Sequence, residues 1–249
     1  MTPIRLNTLA RGLRTLQRPA SVLLLPGQPM SGPHESGWPV ASHDDALMAW
    51  RDWCVAQAGR RCRIALSCQW VMSGVVPMSE AATAHEAQSL MARQWDHYVN
   101  VGAEQLAAQG LVRTTRAGQS WLVCAMPRAL VQDLQALAHA HGVGVVWMGP
   151  WWAAGAQRWW SHGARHGAGS APRQLCAQEP GWSTRWIAEA DQVSRLWVEP
   201  SIAPASPSGD GVTTVSLLRH GAASASCLWD DEATHRLISG RDAAWRGDA

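Results

Sequence analysis

The stretch SWLVCAMPRALVQDLQALAHAHGVGVVWMGPWW, residues 120–152, predicts a strand, a helix and a second strand. Residues 121–125 form an apolar run of strand length. Leu130, Leu134 and Leu137 then recur at i, i+4 and i+7, a spacing that places them on one face of a helix. An apolar helix face of this kind is typical of a helix that covers a sheet.

The ends of this helix are marked by two residues with special backbone preferences. Pro127 stands where its fixed φ favours the start of a helix, and Gly142 stands where a left-handed C-cap is expected. Residues 143–148 are again apolar and predict the second strand. We therefore predict a buried parallel pair of strands joined by a crossover helix.

The composition indicates a folded chain with an unusual choice of side chains. Its 249 residues suffice for one large domain or two small ones, and 47% hydrophobic with 16% charged residues excludes disorder. There are sixteen Trp, one Tyr and no Phe, and every basic residue is Arg. We expect most tryptophans in the core, because a surface that stacks sugars or bases would need exposed rings at regular spacing.

Other parts of the first 120 residues predict further elements. Residues 21–25 form a buried type of strand, and Ser42 or Asp44 can cap the helix that follows. Residues 62–78 alternate apolar and polar side chains up to Trp70, then turn at Ser73 and Gly74 into a second short strand. A capping box, Thr83 with Glu86, begins a long helix, and a polar connection from 102 to 118 includes an edge strand near Leu111.

The last hundred residues show weaker periodicity. Residues 153–180 predict a loop or a frayed helix, whereas 182–188, 193–198 and 212–218 predict strands. The predicted organisation has four parts: a basic amphipathic N-terminal segment (1–20), an α/β core subdomain (21–152), a smaller, partly degenerate second subdomain (153–240) and a mobile tail (241–249).

The N-terminal segment carries a leucine stripe made of Leu6, Leu9, Leu13 and Leu16. Four arginines lie in the first eighteen residues, and no acidic residue occurs before Glu35. Such a segment could dock on a partner, lie on an anionic membrane surface or pack on its own domain. Its basic, acid-free character also resembles a transit peptide. We assign the leucine stripe as the candidate partner-binding site.

Cysteine and histidine patterns argue against disulfides and metal sites. The six cysteines include no CxxC pair, which favours reduced, buried thiols in a cytoplasmic protein, and we predict no cofactor. His139, His141, His162 and His166 lack acidic or Cys ligands at a matching spacing, so we interpret them as loop and helix-end residues. No transmembrane run, signal peptide, nucleotide-binding glycine motif or wider basic patch for nucleic acid is present.

A tripeptide near the C-terminus provides the main enzymatic alternative. Arg219, His220 and Gly221 follow an apolar strand and resemble the RHG signature of histidine phosphatases, in which a His accepts the phosphoryl group. In that family the motif opens the chain and a long domain follows, whereas only twenty-eight residues follow Gly221 here. A third hypothesis is a Trp-rich ligand-binding domain.

Residues 42–152 resemble the actin-like cytoplasmic assembly proteins of type II secretion systems and type IV pili. The resemblance lies in the strand ending at Leu66 and Ser67, in Pro77 before a helix, and in the run from 121 through Arg128 to Trp147. Pro127 replaces the acid that usually precedes the arginine. The segment 182–198 would begin the second actin-like half.

The resemblance implies an α/β fold, with a mixed β-sheet and covering helices in an abbreviated actin-like (ribonuclease H-like) arrangement. It also implies a non-catalytic scaffold, cytoplasmic or peripheral to the inner membrane, that recruits an inner-membrane assembly protein. From the distribution of basic residues we predict no nucleic-acid partner. The phosphate hairpins of ATP-binding relatives contain acids and glycines. Residues 22–27 lack the acid and Asp210 with Gly211 lacks the continuation, so we expect no ATP hydrolysis.

Overall fold

The computed structural model describes residues 18–26, 43–165, 172–189, 192–200, 212–217, 227–242 and 245. The helices are α1 (Asp44–Ala56), α2 (Ala84–Val99), α3 (Ala103–Gln109), α4 (Arg128–Ala140), α5 (Trp151–Arg165) and α6 (Glu232–Ile238). The strands are β1 (Ala20–Leu24), β2 (Arg61–Leu66), β3 (Met72–Pro77), β4 (Gly110–Ala117), β5 (Ser120–Pro127), β6 (Gly144–Pro150), β7 (Arg173–Glu179), β8 (Trp182–Glu189), β9 (Gln192–Pro200), β10 (Val212–Ser216) and β11 (Leu228–Trp229).

These strands form three sheets. The first has the order β11-β1-β2-β6 and is mixed, because β1, β2 and β6 run parallel while β11 is antiparallel. The second has the order β10-β7-β8-β9, with one parallel pair, and the third is the antiparallel sheet β3-β5-β4. The predicted α/β class with a mixed sheet and covering helices is confirmed.

The predicted parallel pair around the crossover helix is wrong, although its three elements exist. β5 lies between β3 and β4, while β6 pairs with β2 in the first sheet. The apolar face of α4, which includes Leu130 and Leu134, is buried in one core cluster with residues of both sheets. A continuous apolar run is expected for any buried strand, whether β5 and β6 pair with each other or lie in different sheets. The sequence therefore could not distinguish the two arrangements. The left-handed Gly142 is confirmed at φ 68°.

The alternating segment from 62 to 78 also folds differently from its prediction. β2 ends at Leu66, and Cys68–Trp70 form a 3-10 turn in which Ser67 accepts a hydrogen bond from the Gln69 amide. Ser73 and Gly74 lie inside β3 and form no turn. Gly74 lets α2 approach closely, because a Cβ at this position would come 2.4 Å from the Met91 sulfur.

The structure confirms the predicted start of α2 but not the predicted cap of α1. The Thr83–Glu86 capping box is confirmed, and α2 ends at a left-handed Asn100. α1 starts after His43, whose side chain makes no cap bond, so Asp44 is its first helical residue and not its cap. The edge strand near Leu111 is confirmed as β4, while the short α3 before it was missed because its sequence is polar and weakly periodic.

After Trp152 the chain is more regular than predicted. The segment 153–180 contains most of α5 and all of β7. β7 was missed because its end carries Gln178 and Glu179, both of which are buried. The strands predicted at 182–188, 193–198 and 212–218 are confirmed as β8, β9 and β10.

Tryptophans fill much of the core, as their composition predicts. The largest fully buried side chains include seven tryptophans: Trp50, Trp70, Trp151, Trp152, Trp182, Trp186 and Trp245. Trp186 has edge contacts with two others, at centroid distances of 5.6 Å to Trp152 and 6.0 Å to Trp159. Edge-to-face geometry of this kind is the preferred arrangement of aromatic pairs.

The C-terminal region returns to the first sheet. β11 pairs with β1 and so joins the sheet of the predicted core subdomain. α6 packs against the same strand. Within the predicted mobile tail, Trp245 is buried and its indole donates a 3.1 Å hydrogen bond to the Leu237 carbonyl. At this residue a buried aromatic ring anchors the chain.

The buried carboxylate of Glu179 joins three separate parts of the fold. It accepts hydrogen bonds from the Ser67 hydroxyl, from the Cys68 amide at 3.0 Å and from the Trp151 indole at 2.8 Å. The Gln69 amide nitrogen lies 3.4 Å from the same carboxylate. Glu179 is only 1% exposed, and none of the described residues forms a salt bridge with it. Neutral donors therefore compensate the cost of burying its charge.

Replacing Glu179 with Leu should lower the free energy of unfolding by about 3 kcal/mol or more, because several buried donors lose their acceptor. Glu179→Gln, which keeps one acceptor oxygen, should cost less. The measurement is urea unfolding, with Glu104→Leu on the first turn of α3 as an exposed control. A Leu variant as stable as the wild type would show that Glu179 does not hold these elements together.

Replacing Gly155 with Ala should destabilise the protein, although this change normally stabilises a helix interior by about 1 kcal/mol. A Cβ at Gly155 would lie 2.2 Å from the Trp245 ring, and such overpacking costs about 1–3 kcal/mol. Thermal melts would measure the effect, with Gly144→Ala in β6 as control, since its nearest contact is 3.5 Å away. Stabilisation by Gly155→Ala would contradict the packing of Trp245 on α5.

Candidate protein-binding groove

A groove lies where the second and third sheets meet. β3 is the edge strand of the third sheet, β9 is the edge strand of the second, and the two strands lie against each other. The C-terminal half of α2 forms one side, and the groove encloses about 790 Å³. Its walls thus come from segments that are more than one hundred residues apart in the sequence.

The floor of the groove is apolar. It includes Val75 from β3, Met91 and Trp95 from α2, and Leu196 from β9. Met91, Trp95 and Leu196 are buried, and Gly74 allows Met91 to pack directly on β3. Apolar floors of this kind bind the anchor side chains of a partner.

The rim of the groove carries aromatic and charged side chains. Tyr98 is 78% exposed, an unusual state for a large aromatic side chain on the surface of a helix. Arg195 and Glu80 contribute one charge of each sign. This rim matches the common pattern of an apolar centre with a polar edge.

A polar network holds Trp197 in place on β9. Its indole donates a 3.0 Å hydrogen bond to Glu199, whose other oxygen accepts from Arg185 at 2.5 Å. The ion pair is partly exposed, with side-chain exposures of 43% for Arg185 and 37% for Glu199. It therefore orients the ring more than it stabilises the fold.

The β4–β5 hairpin fixes the distance between the groove walls. Ser120 lies in β5 opposite Pro77 of β3, and its hydroxyl donates a 2.9 Å hydrogen bond to the Val193 carbonyl of β9. Gly118 and Gln192 form an isolated antiparallel bridge at the same place. The groove is thus a preformed feature of the fold at this end.

The thiol at the groove is chemically inert. Cys68 lines the groove, but burial and the nearby Glu179 carboxylate raise its pKa well above the usual value. Burial likewise raises the pKa of Cys54 to about 11, of Cys62 to about 12 and of Cys124 to about 11. Because the thiolate is the nucleophile, a thiol that stays protonated at neutral pH does not react. All six cysteines are buried and unpaired, as predicted.

The structure locates only some of the residues singled out in the sequence. The leucine stripe (Leu6, Leu9, Leu13 and Leu16) and the motif around His220 lie outside the described residues. His139 is exposed near the end of α4 and His141 follows that helix as its C-cap. Among the described residues, His, Cys, Asp and Glu side chains form no group of three that could hold a metal ion.

The groove was not located by sequence reasoning. Tyr98 stands three residues after Trp95 and seven after Met91, at the helical spacing of the stripe on α2, so no local pattern indicates that its side chain is exposed. None of the helices within the described ranges is both long and apolar enough to cross a membrane.

No protein-family model and no curated protein matches this sequence. Solved structures do match. A PilM–PilN type IV pilus biogenesis complex is matched over 68% of this chain, with 12% identity and a TM-score of 0.43. The match covers 52% of that chain, so this chain spans about half of its length.

Two further solved structures are similar to this chain. One is a Bacteroides thetaiotaomicron protein with an actin-like ATPase fold and unknown function, with 8% identity, coverage of 74% and 70%, and a TM-score of 0.42. The other is the cytoplasmic domain of EpsL, an inner-membrane component of the Vibrio cholerae type II secretion system, with 10% identity, coverage of 70% for both chains, and a TM-score of 0.36. Two of these three structures thus come from type IV pilus or type II secretion systems.

Proposed function

We propose that this protein is a non-catalytic scaffold of a bacterial type IV pilus or type II secretion machine. In this proposal it lies in the cytoplasm, at the periphery of the inner membrane, and recruits an inner-membrane assembly protein. The partner contributes an extended segment that binds in the groove between β3 and β9. The groove is the observation that carries the binding role, and the resemblance of residues 42–152 supplies the class of machine.

An extended segment fits the groove better than a compact ligand. The two walls are edge strands, and the alternating side chains of such strands form the pockets that an extended peptide occupies. The floor of Met91, Trp95 and Leu196 suits apolar side chains. Tyr98 and Trp197 supply aromatic anchors, the residue type that dominates binding energy at interfaces.

The leucine stripe of the N-terminal segment is a second proposed contact with the same partner. Leu6, Leu9, Leu13 and Leu16 repeat at the spacing that an amphipathic helix uses to bind a groove on another protein. The two contacts use different parts of the chain, so each can be removed without the other.

Replacing Tyr98 with Ala should weaken binding of the partner segment about tenfold, because an exposed aromatic anchor typically contributes more than about 1 kcal/mol. The measurement uses peptides that tile the cytoplasmic segments of the inner-membrane assembly proteins of the same bacterium. Binding affinities are then determined by calorimetry for every peptide that binds the wild type.

Met48→Ala is the matched control for the groove. Met48 is also a large apolar side chain exposed on a helix, at 52%, but it lies on α1 and does not line the groove. Deletion of residues 1–17 tests the leucine stripe separately. Equal affinities for wild type, Tyr98→Ala and Met48→Ala would exclude the groove as the binding site.

A purified preparation should show neither phosphatase nor ATPase activity above background. The phosphatase hypothesis requires His220, and ATP turnover of the actin type requires an acid such as Asp210 near the phosphates. The assays compare wild type with His220→Ala and with Asp210→Ala, using a phosphate ester and magnesium ATP. Turnover that disappears in either variant would replace the scaffold proposal with an enzyme.

A further inference from the structure

A second surface, separate from the groove, carries a group of arginines that we call the arginine patch: Arg18, Arg63, Arg158 and Arg241. Arg18 lies two residues before β1 begins, and Arg63 lies in β2 opposite Ser21 of β1. α6 packs against β1 and carries His235. The start of the first sheet and the helix on it thus bring cationic side chains together.

The end of α6 fixes the position of Arg241. Gly240 is left-handed at φ 65°, and the Arg241 amide donates a 2.8 Å hydrogen bond back to the Arg236 carbonyl. This turn closes the helix and directs the chain back over it. Gly240 also packs on α5, because a Cβ there would lie 2.8 Å from the Arg158 side chain. Arg158 and Arg241 therefore border the same helix end.

The side chain of His235 lies within electrostatic reach of three of the arginines. Burial lowers its pKa, and the positive charges of Arg241, Arg63 and Arg18 lower the same pKa further, against an opposite effect of Glu232. The side chain of His235 is thus influenced by three arginines from separate segments: Arg63 in β2, Arg241 after α6 and Arg18 before β1. Within the described part of the chain, none of the four patch arginines forms a salt bridge.

The chemistry of the patch is that of an anion-binding surface. Arg18, Arg63, Arg158 and Arg241 are exposed, and their guanidinium groups suit phosphate oxygens. Glu232 is an acid whose charge acts on His235, and Asp242, which follows Arg241 in the sequence, already has a partner. An unpaired positive surface of this kind is attracted to polyanions at low and physiological salt.

The sequence that leads into the patch favours lipid over nucleic acid. Residues 1–17 join the patch at Arg18, add Arg5, Arg11 and Arg14, and contain no acid. The same residues carry the leucine stripe, which the acyl boundary of a bilayer accommodates and a nucleic-acid backbone does not. We propose that the arginine patch binds the phosphate headgroups of an anionic phospholipid surface. This inference deepens the proposed function, because it names the surface that holds the protein at the membrane, and it does not require the groove or its partner.

Removing two patch arginines should weaken membrane binding strongly. An arginine near an anionic bilayer contributes about 1 kcal/mol, which corresponds to about fivefold in affinity, so Arg63→Gln/Arg241→Gln should lose about 25-fold. The measurement is co-sedimentation of the full-length protein with vesicles of phosphatidylcholine and phosphatidylglycerol, compared with phosphatidylcholine alone. Added salt should reduce binding to the mixed vesicles.

Two matched variants make the test specific. Arg93→Gln/Arg113→Gln removes the same charge from exposed positions on α2 and β4, and should bind nearly as the wild type does. Arg63→Lys/Arg241→Lys keeps the charge and should retain most of the binding. Thermal melts of all variants check folding, and the Lys variant separates a charge effect from a packing effect. Tyr98→Ala should bind vesicles normally, which separates this proposal from the groove.

Several results would overturn the arginine patch. They are equal binding to neutral and anionic vesicles, equal losses in the patch and control double variants, and unchanged binding of Arg63→Gln/Arg241→Gln. The last would assign membrane binding to residues 1–17 alone. If inorganic phosphate releases the protein from the vesicles at matched ionic strength, the patch is a site for free phosphate. Arginine-dependent binding of duplex DNA, without vesicle binding, would indicate nucleic acid.

Discussion

One buried carboxylate joins the second sheet to the turn that connects the first sheet with the third. Glu179 ends β7, and its oxygens bind the turn after β2 and the first residue of α5. A charge in a dry interior is tolerated only when enough donors surround it, so these donors must all remain in place together. The requirement joins segments more than one hundred residues apart. A satisfied polar network of this kind specifies a single arrangement, where an apolar contact would permit several.

The positions of the groove walls depend on the hydrogen bonds of Glu179. The turn that binds Glu179 leads directly into β3, and β7 leads through β8 to β9. Both walls of the groove are therefore attached, within a few residues or one hairpin, to the same carboxylate. The Ser120–Val193 hydrogen bond fixes their spacing at a second point. Two fixed points make the groove rigid, and a preformed groove binds a flexible segment at a lower entropic cost.

The sequence predicted those parts of the fold whose signal is local. The Thr83–Glu86 capping box, the left-handed Gly142 and the apolar face of α4 are examples, because each depends on neighbours within a few residues. Glu179 shows the limit. A Glu in a strand suggests exposure, and its burial depends on donors from Ser67 and Trp151 that no local pattern reveals.

Pairing and sites that depend on distant segments could not be predicted in this way. The assignment of β5 and β6 to different sheets is decided by β2 and β3, not by the sequence between them. The groove requires β3 and β9 to meet, and the arginine patch requires β1, β2 and α6 to meet. Arg63 looks like an ordinary surface residue until the fold places it beside other arginines, and Tyr98 looks like a core residue until the fold leaves it exposed. Their functional meaning comes from assembly of the fold, and this is why the order of residues along the sequence indicates no basic patch beyond the first eighteen positions.

The two proposed surfaces would reinforce each other. A partner anchored in the inner membrane and a scaffold held on the same membrane meet in a thin layer and not in the whole cytoplasm. Confinement of this kind raises the effective concentration of one for the other, as a short linker between two binding sites does. A groove whose intrinsic affinity is modest then suffices for recruitment, and release from the lipid lowers occupancy of the groove without any change in its shape. The exposed side chain of Tyr98 and the partly exposed side chain of Trp197 suit such a weak, reversible contact better than a permanent one.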